Sequence, residues 1–403
     1  MLDVVVCFFL LVLGLKVKNW FTGFDAYDRK FLNYLFFWHL LIGSAYCYNV
    51  SDGTGDAFTY WFAPQNQGWP VVMSYINRGS ASGYVYLLNY YPAHVLNLSF
   101  FTGSMLYMVL GYVGFVYLYK IIKVNVPRFL YLRKVKILWI PIFPYFLFLP
   151  NIHYWTSGIG KDTLLFFSVV IFMYALANIR KRFLYIVAAV LISIFIRPHI
   201  LLFLCLAFGT AAVLDGRLRI YKKVILCLLF LGGSYYMFPY VAKFARIDDL
   251  QSESISAYSN QHITKLSKAR TTSSLDVTSY PYPLKVFTFL FRPLFFDLPG
   301  ALAMLASLEN LLYLLFFIKV LFSNPLAAYR LASVPVKSMV VFFILGSITF
   351  PLILGNLGIM LRQKTPFMIM FLIFGFLVLV RAQLKKKPLK RRIPQPVLSN
   401  PSD

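Results

Sequence analysis

The sequence predicts an all-α polytopic membrane protein with about 11 transmembrane helices, and three observations carry that reading. Sixty per cent of the residues are hydrophobic and only 13% are charged, whereas a soluble domain carries about 25% charged residues. The apolar residues come in runs suited to a hydrocarbon core of about 30 Å, which takes about 20 helical residues to cross. Positive charge is concentrated in alternate connections, the pattern by which short basic loops stay in the cytoplasm.

In chain order the apolar runs predict spans near 2–15, 31–49, 98–119, 137–150, 163–179, 183–197, 198–214, 224–240, 300–318, 338–355 and 366–380. The first has no basic n-region and no small-residue cleavage site before Lys16, so it reads as a span and not as a signal peptide. Segments 16–30, 120–136, 180–182, 215–223, 319–337 and 381–392 hold 27 of the 39 Lys and Arg residues. With the last residues, they contain only Asp25, Asp28, Asp215 and Asp403 as acids. The N-terminus then falls outside and the C-terminus inside. Residues 1–380 form a single integral membrane domain with outer loops 50–97, 151–162, 241–299 and 355–365, and 381–403 form a basic cytoplasmic tail. The net charge of +25 is a topology signal, and no nucleic acid is needed to explain it. Membrane lipid is the partner that a basic tail implies.

Cys7, Cys47, Cys205 and Cys227 show no CxxC spacing and lie mostly in apolar runs, as buried small hydrophobes do. No HExxH occurs, and no metal site is expected. The run Ser157-Gly-Ile-Gly-Lys161-Asp-Thr invites comparison with a phosphate-binding loop. Trp155 stands where that motif needs its first glycine, and Asp162 where Ser or Thr would hold magnesium. The chain therefore calls for no nucleotide and no cofactor.

The outer segments are unlike ordinary loops. The first begins Ser51-Asp52-Gly-Thr-Gly-Asp56-Ala-Phe-Thr-Tyr60-Trp61. Two carboxylates sit four residues apart in a Gly-rich turn, and the aromatic residues that follow (Trp69, Tyr75, Tyr84, Tyr86, Tyr90, Tyr91) suit interfacial helices at the headgroup level. The bland reading is a turn with helix-capping aspartates. The second, Pro150-Asn-Ile-His153-Tyr-Trp155-Thr-Ser-Gly-Ile-Gly-Lys161-Asp162, reads either as a site or as an aromatic anchor with a solvated ion pair. Arg197-Pro-His199 joins two apolar runs with barely a loop; its arginine suits either a substrate phosphate or a lipid headgroup. Residues 251–279 are Ser/Thr-rich and polar, and 284–298, with Arg292 and Asp297, fit a re-entrant or interfacial segment. The last is Gly355-Asn-Leu-Gly-Ile-Met-Leu-Arg362-Gln-Lys364.

Together these segments put acids on one loop and cations on four others at one membrane face. That constellation suits attack on a substrate whose leaving group is a lipid-linked phosphate. A carboxylate takes the proton of an incoming hydroxyl, and fixed cations stabilise the charge on the departing phosphate, arginine best of all. Asp56, which immediately precedes the aromatic run, is the first choice for the base, and Asp52 the second. Arg197, His199, Arg362, Lys364, Lys161 and Arg292 are the phosphate-holding candidates, with His153 beside them and Tyr60 and Trp61 as faces for a sugar. Glu309, an acid within a span, is expected to pair with one of these cations or to form a buried structural pair.

These motifs resemble those of GT-C-type integral membrane glycosyltransferases, in particular the EpsG-like and Wzy-type polysaccharide polymerases of bacteria. The resemblance rests on Gly55-Asp56-Ala-Phe-Thr-Tyr60-Trp61, His153-Tyr-Trp155-Thr-Ser-Gly-Ile-Gly-Lys161-Asp162, Arg197-Pro-His199 and Asn356-Leu-Gly-Ile-Met-Leu-Arg362-Gln-Lys364. It implies a multi-pass protein of the bacterial cytoplasmic membrane with its catalytic Asp on the first outer loop, here preceded by an extra span. It also implies polysaccharide biosynthesis for the cell envelope, with a polyprenyl-linked saccharide donor and a saccharide acceptor. The chain lacks the large C-terminal outer domain of many such enzymes, so polymerisation and single-sugar transfer both stay open. The rival readings are a flippase of lipid-linked saccharide and a non-catalytic scaffold of an envelope complex. Against the first, no internal repeat is visible, and the polar residues gather at one face.

Overall fold

Apolar side chains spaced along nearly every segment make helices the way to satisfy the backbone out of water, and helices dominate the chain. The computed structural model describes residues 1–53, 55–215, 275–297 and 300–386, with scattered positions between 219 and 235. The span expected at 224–240 falls largely outside the described residues, as do most of the loop 241–299 and the tail beyond 386.

The N-terminal part comprises α1 (Leu2–Val17), α2 (Ala26–Val50), α3 (Asp56–Asn77), α4 (Ala81–Asn89), a π-helical turn at Tyr90–Val95 and α5 (Phe100–Asn125). A two-stranded antiparallel hairpin, β1 (Lys136–Ile137) with β2 (Ile140–Pro141), leads into α6 (Ile142–Tyr145) and α7 (Pro150–Trp155). Then follow α8 (Lys161–Ala175), α9 (Phe183–Ile196) and α10 (Pro198–Val213). The C-terminal part comprises α11 (Tyr282–Phe291), α12 (Ala301–Leu321), α13 (Pro325–Arg330), α14 (Val334–Thr349) and α15 (Leu357–Lys386).

Among the described residues, four helices, not eleven, are long and apolar enough to cross a bilayer: Phe100–Asn125, Ala301–Leu321, Val334–Leu352 and Leu357–Lys385. By length and composition they point to a multi-pass membrane protein. The expected count is corrected for three physical reasons. Helices α1, α8, α9 and α10 have 14–16 residues, or about 21–24 Å at 1.5 Å per residue, short of a hydrocarbon core. Helix α2 is long enough, but Asn33, His39 and Asn49 dilute its apolar character. The run 137–150 is not a span at all. Pro141 and Pro144 interrupt it, removing backbone donors that a helix needs, and its Ile142, Phe143, Phe146 and Leu147 are buried inside the protein.

Helix α15 is the axis of the C-terminal half, with every residue from Phe367 to Val380 buried. Phenylalanines fill the seams around it: Phe342 meets Phe367 at 4.7 Å, and Phe343 stacks on Phe371 at 4.6 Å. The outer surface is correspondingly apolar, with Val4, Phe8, Leu184, Leu302 and Met304 all exposed, as lipid contact requires.

Polar contacts stitch the basic segments together at one end of the helices. Asp25 and Asp28 cap α2 reciprocally, and Asp28 accepts from Tyr119 at 2.7 Å and pairs with Lys123. Lys120 donates to the Thr22 carbonyl at 2.5 Å, and Arg133 to Tyr27. Lys319 reaches the Lys136 carbonyl at 2.9 Å, Ser333 donates to Asn125 at 2.7 Å, and Lys337 pairs with Asp215 at 2.9 Å. The candidate site lies at the other end of the same helices.

Candidate functional site

Four chain breaks build the site. Gly55, at φ 90°, caps α3 and sets Asp56 as its first residue, where the positive end of the helix favours a carboxylate. Between α7 and α8, Gly158 and Gly160 let the chain run under two tyrosines. A Cβ at Gly158 would strike the Tyr46 ring at 2.3 Å, and one at Gly160, whose φ is +143°, would meet Tyr60 at 3.0 Å. This tuck delivers Lys161 and Asp162 as the first residues of α8. The third break is Arg197-Pro198. Proline bars the helical conformation at the preceding residue, and Arg197 takes φ −153°, ψ 87° between α9 and α10. Finally, Asn356 accepts from the Ile359 amide at 3.1 Å and starts α15, placing Arg362 in its second turn.

These pieces converge on Asp162. Arg197 Nη2 lies 3.2 Å from Asp162 Oδ1, and Arg362 Nε bonds Asp162 Oδ2. Arg362 Nη1 also reaches Asp56 Oδ2 at 3.1 Å, and Arg197 Nη1 donates to Gln363 Oε1. The result is a chain of alternating charge, Asp56–Arg362–Asp162–Arg197. The Arg362 guanidinium lies 5.8 Å from the Trp155 ring, a cation–π distance.

The two acids differ in exposure, and that separates their roles. The Asp162 side chain is 16% exposed and held between two arginines, whereas Asp56 is 59% exposed. Behind Asp162 the recess between Trp155, Arg197 and Gln363 measures about 10 Å³, at most one water. In front, a cleft of about 340 Å³ opens between Tyr46, Tyr154, Trp155, Gly160, Asp56 and Arg362, large enough for a small-molecule site. Lys161, next to the cleft-lining Gly160 and Asp162, donates to Ser82 at 3.1 Å and lies 5.5 Å from the Tyr60 ring centre. Burial, and next the charge of Arg197, lower the Lys161 ammonium below its ordinary range. Burial, and next the Asp56 carboxylate, push the Tyr60 hydroxyl up to about 12.

The sequence-derived candidates divide accordingly. Asp56, Arg362, Arg197, Lys161 and Tyr60 come together. Asp52 is exposed in the turn after α2. His199, half-buried, stands 6.0 Å ring to ring from Phe350. Trp61 is fully buried, in a position where a Cβ at Gly103 would strike its ring. Arg292 is held by Asp297 through Nε at 3.0 and 3.1 Å. Lys364 is buried and donates to the carbonyls of Leu290 and Arg292 and to Asn310 Oδ1, at 3.0, 3.2 and 2.7 Å. Glu309 accepts from the Asn151 amide at 2.8 Å, and no ion pair to it is formed among the described residues.

His153 lies beneath the cleft, fully buried, and pairs with His39 at 2.9 Å between their Nδ1 atoms. Its Nε2 donates to the Leu147 carbonyl at 2.8 Å, so in the neutral ring Nδ1 accepts from His39. Burial lowers its pKa to about 4.

Sequence reasoning passed over Asp162, Gln363, Ser82 and Tyr46. For Asp162 the signal was present: it is the acid of the short second outer segment and follows two glycines. Among the described residues no group of three or more His, Cys, Asp or Glu side chains gathers as a metal site would require. No family model, curated protein or solved structure matches the chain.

Proposed function

We propose that the chain is a membrane glycosyltransferase or polysaccharide polymerase that takes sugar or oligosaccharide from a polyprenyl-phosphate-linked donor on the non-cytoplasmic face. One observation carries the reading: an exposed carboxylate, Asp56, stands 3.1 Å from an arginine at the mouth of an aromatic-lined cleft. Asp56 takes the proton of an acceptor hydroxyl as that oxygen bonds to the anomeric carbon. The bond from that carbon to the lipid phosphate breaks, and the phosphate leaves with the electron pair. Arg362, backed by Arg197 and Lys161, stabilises the charge it gains. The faces of Tyr46, Tyr154 and Trp155 suit the apolar faces of sugar rings. The cleft opens opposite the end where the basic segments gather, which the positive-inside rule assigns to the non-cytoplasmic side.

The test is Asp56→Asn, which keeps the size of the side chain and most of its hydrogen bonding but removes the proton acceptor. Membranes carrying the variant at wild-type protein level should form about 10²–10⁴-fold less elongated lipid-linked saccharide. Asp52→Asn, assayed alongside, should retain activity. Full activity in both variants would overturn the reading and favour a flippase.

A further inference from the structure

At the opposite end of α15 lies a recess of about 320 Å³ with no assigned role, lined by Phe322, Asn324, Leu331, Val378, Arg381 and Lys385 among others. Arg381 stands 19 residues beyond Arg362 on the same helix, about 28 Å away at 1.5 Å per residue, close to the thickness of a hydrocarbon core. The recess and the cleft therefore face opposite membrane surfaces.

Among the described residues its charge is largely uncompensated. Segments 319–337 and 376–386, which form it, contain five Lys and Arg residues besides Lys386, and no Asp or Glu. Of these five, only Lys337 enters a salt bridge among the described residues, with Asp215. Arg381 spends one N–H on the Ala328 carbonyl at 2.9 Å and another on that of Leu331 at 3.1 Å, leaving three of its five donors. Lys385 is exposed. Asn324 uses its carbonyl oxygen to cap α13 at Ala327. Around this polar floor stand Phe322, Leu326 and Leu331, each at least 70% exposed. In water that would be an aggregating patch, whereas beside a bilayer it is a seat for acyl chains.

We propose that this recess binds the phosphate headgroup of an anionic glycerophospholipid, with its acyl chains against Phe322 and Leu331. A cationic floor inside an apolar rim fits a molecule that is anionic at one end and apolar at the other. A free phosphate matches only the floor.

The test uses the purified full-length protein in neutral detergent, titrated with dioleoyl phosphatidylglycerol, dioleoyl phosphatidylcholine or inorganic phosphate, with the thermal unfolding midpoint as readout. Phosphatidylglycerol should raise the midpoint saturably, and the other two should not. Lys385→Gln, which removes an exposed charge without touching a carbonyl bond, should weaken the apparent affinity about fivefold, and Arg381→Gln with Lys385→Gln further still. Arg78→Gln, in the first outer segment, should leave it unchanged. Equal stabilisation by phosphatidylcholine, an unchanged affinity in Lys385→Gln, or a phosphate titration that reproduces the lipid's effect would each overturn the assignment.

Discussion

Arg362 binds Asp56 through Nη1 at 3.1 Å and Asp162 through Nε, so one guanidinium joins two carboxylates that lie 306 and 200 residues before it in the sequence. A planar fork holds its donors at fixed, separate positions, which suits two acids lying on different sides of it. Arg362→Lys should therefore keep the charge yet lose one of the two contacts. A charge-assisted hydrogen bond is worth about 1.5–3 kcal/mol, which corresponds to an activity loss of about 10–100-fold. Arg78→Lys, at an exposed residue whose guanidinium lies 5.8 Å from the Tyr75 ring centre, serves as the control and should retain activity. Equal tolerance of the two substitutions, in transfer assays at matched protein level, would rule out the bridging role.

Asp162 neutralises two arginines at once, and its removal should act on stability before chemistry. Asp162→Asn leaves Arg197 without its ion-pair partner and Arg362 with Asp56 alone, at a cost of about 3 kcal/mol. The thermal midpoint should drop accordingly. Combining Asp162→Asn with Arg197→Gln should recover part of the loss, because the double variant buries one less unpaired charge. Strict additivity of the two substitutions would show that they do not interact.

His153 makes stability depend on pH. Burial holds its pKa at about 4 against an ordinary 6.5, so between those values the unfolded chain binds a proton that the folded chain does not. Stability is then complete above about pH 6.5 and falls as pH drops toward 4, by up to about 3 kcal/mol. Unfolding midpoints at pH 7.5 and 5 measure this. The difference should be smaller in His153→Asn than in the wild type, and an identical difference would remove His153 as its source.

The two ends of the helices should label from opposite sides. In a chain whose cysteines are replaced by serine, Arg78→Cys should react with an impermeant maleimide added outside intact cells. Arg128→Cys should react only after permeabilisation. Labelling of both from outside would reverse or abolish the proposed orientation.

What the sequence revealed depended on how local the governing physics was. Asp56, Arg197 and Arg362 were legible because each stands next to a Gly or Pro break or a polar run at the end of an apolar one. Lys364 was misgrouped with Arg362, although the sequence held the correction: residues two apart on a helix point to nearly opposite faces. Lys364 accordingly turns inward to backbone carbonyls. The pairing of His153 with His39 was beyond reach, since the two lie 114 residues apart and nothing local links them. Hydrophobicity alone also could not distinguish a run facing lipid from one buried in protein. The segment 137–150 is of the second kind, and its prolines were the only hint. Asp162 stands in a segment that reads either as a site or as an anchor with a solvated ion pair, and its partners come from α10's cap and α15.

The Arg197-Pro198 break carries a consequence for how this chain can vary. Helices α9 and α10 share Arg197 as their boundary, with no linking residue between them. Each helical residue turns the chain by about 100°, so inserting or deleting one amino acid late in α9 would swing Arg197 out of phase with Asp162. No neighbouring loop has slack to absorb that rotation. Length changes here should be far more damaging than most substitutions, while the turn at Gly79, open to solvent with no atom within 4 Å of a Cβ built there, should accept them freely.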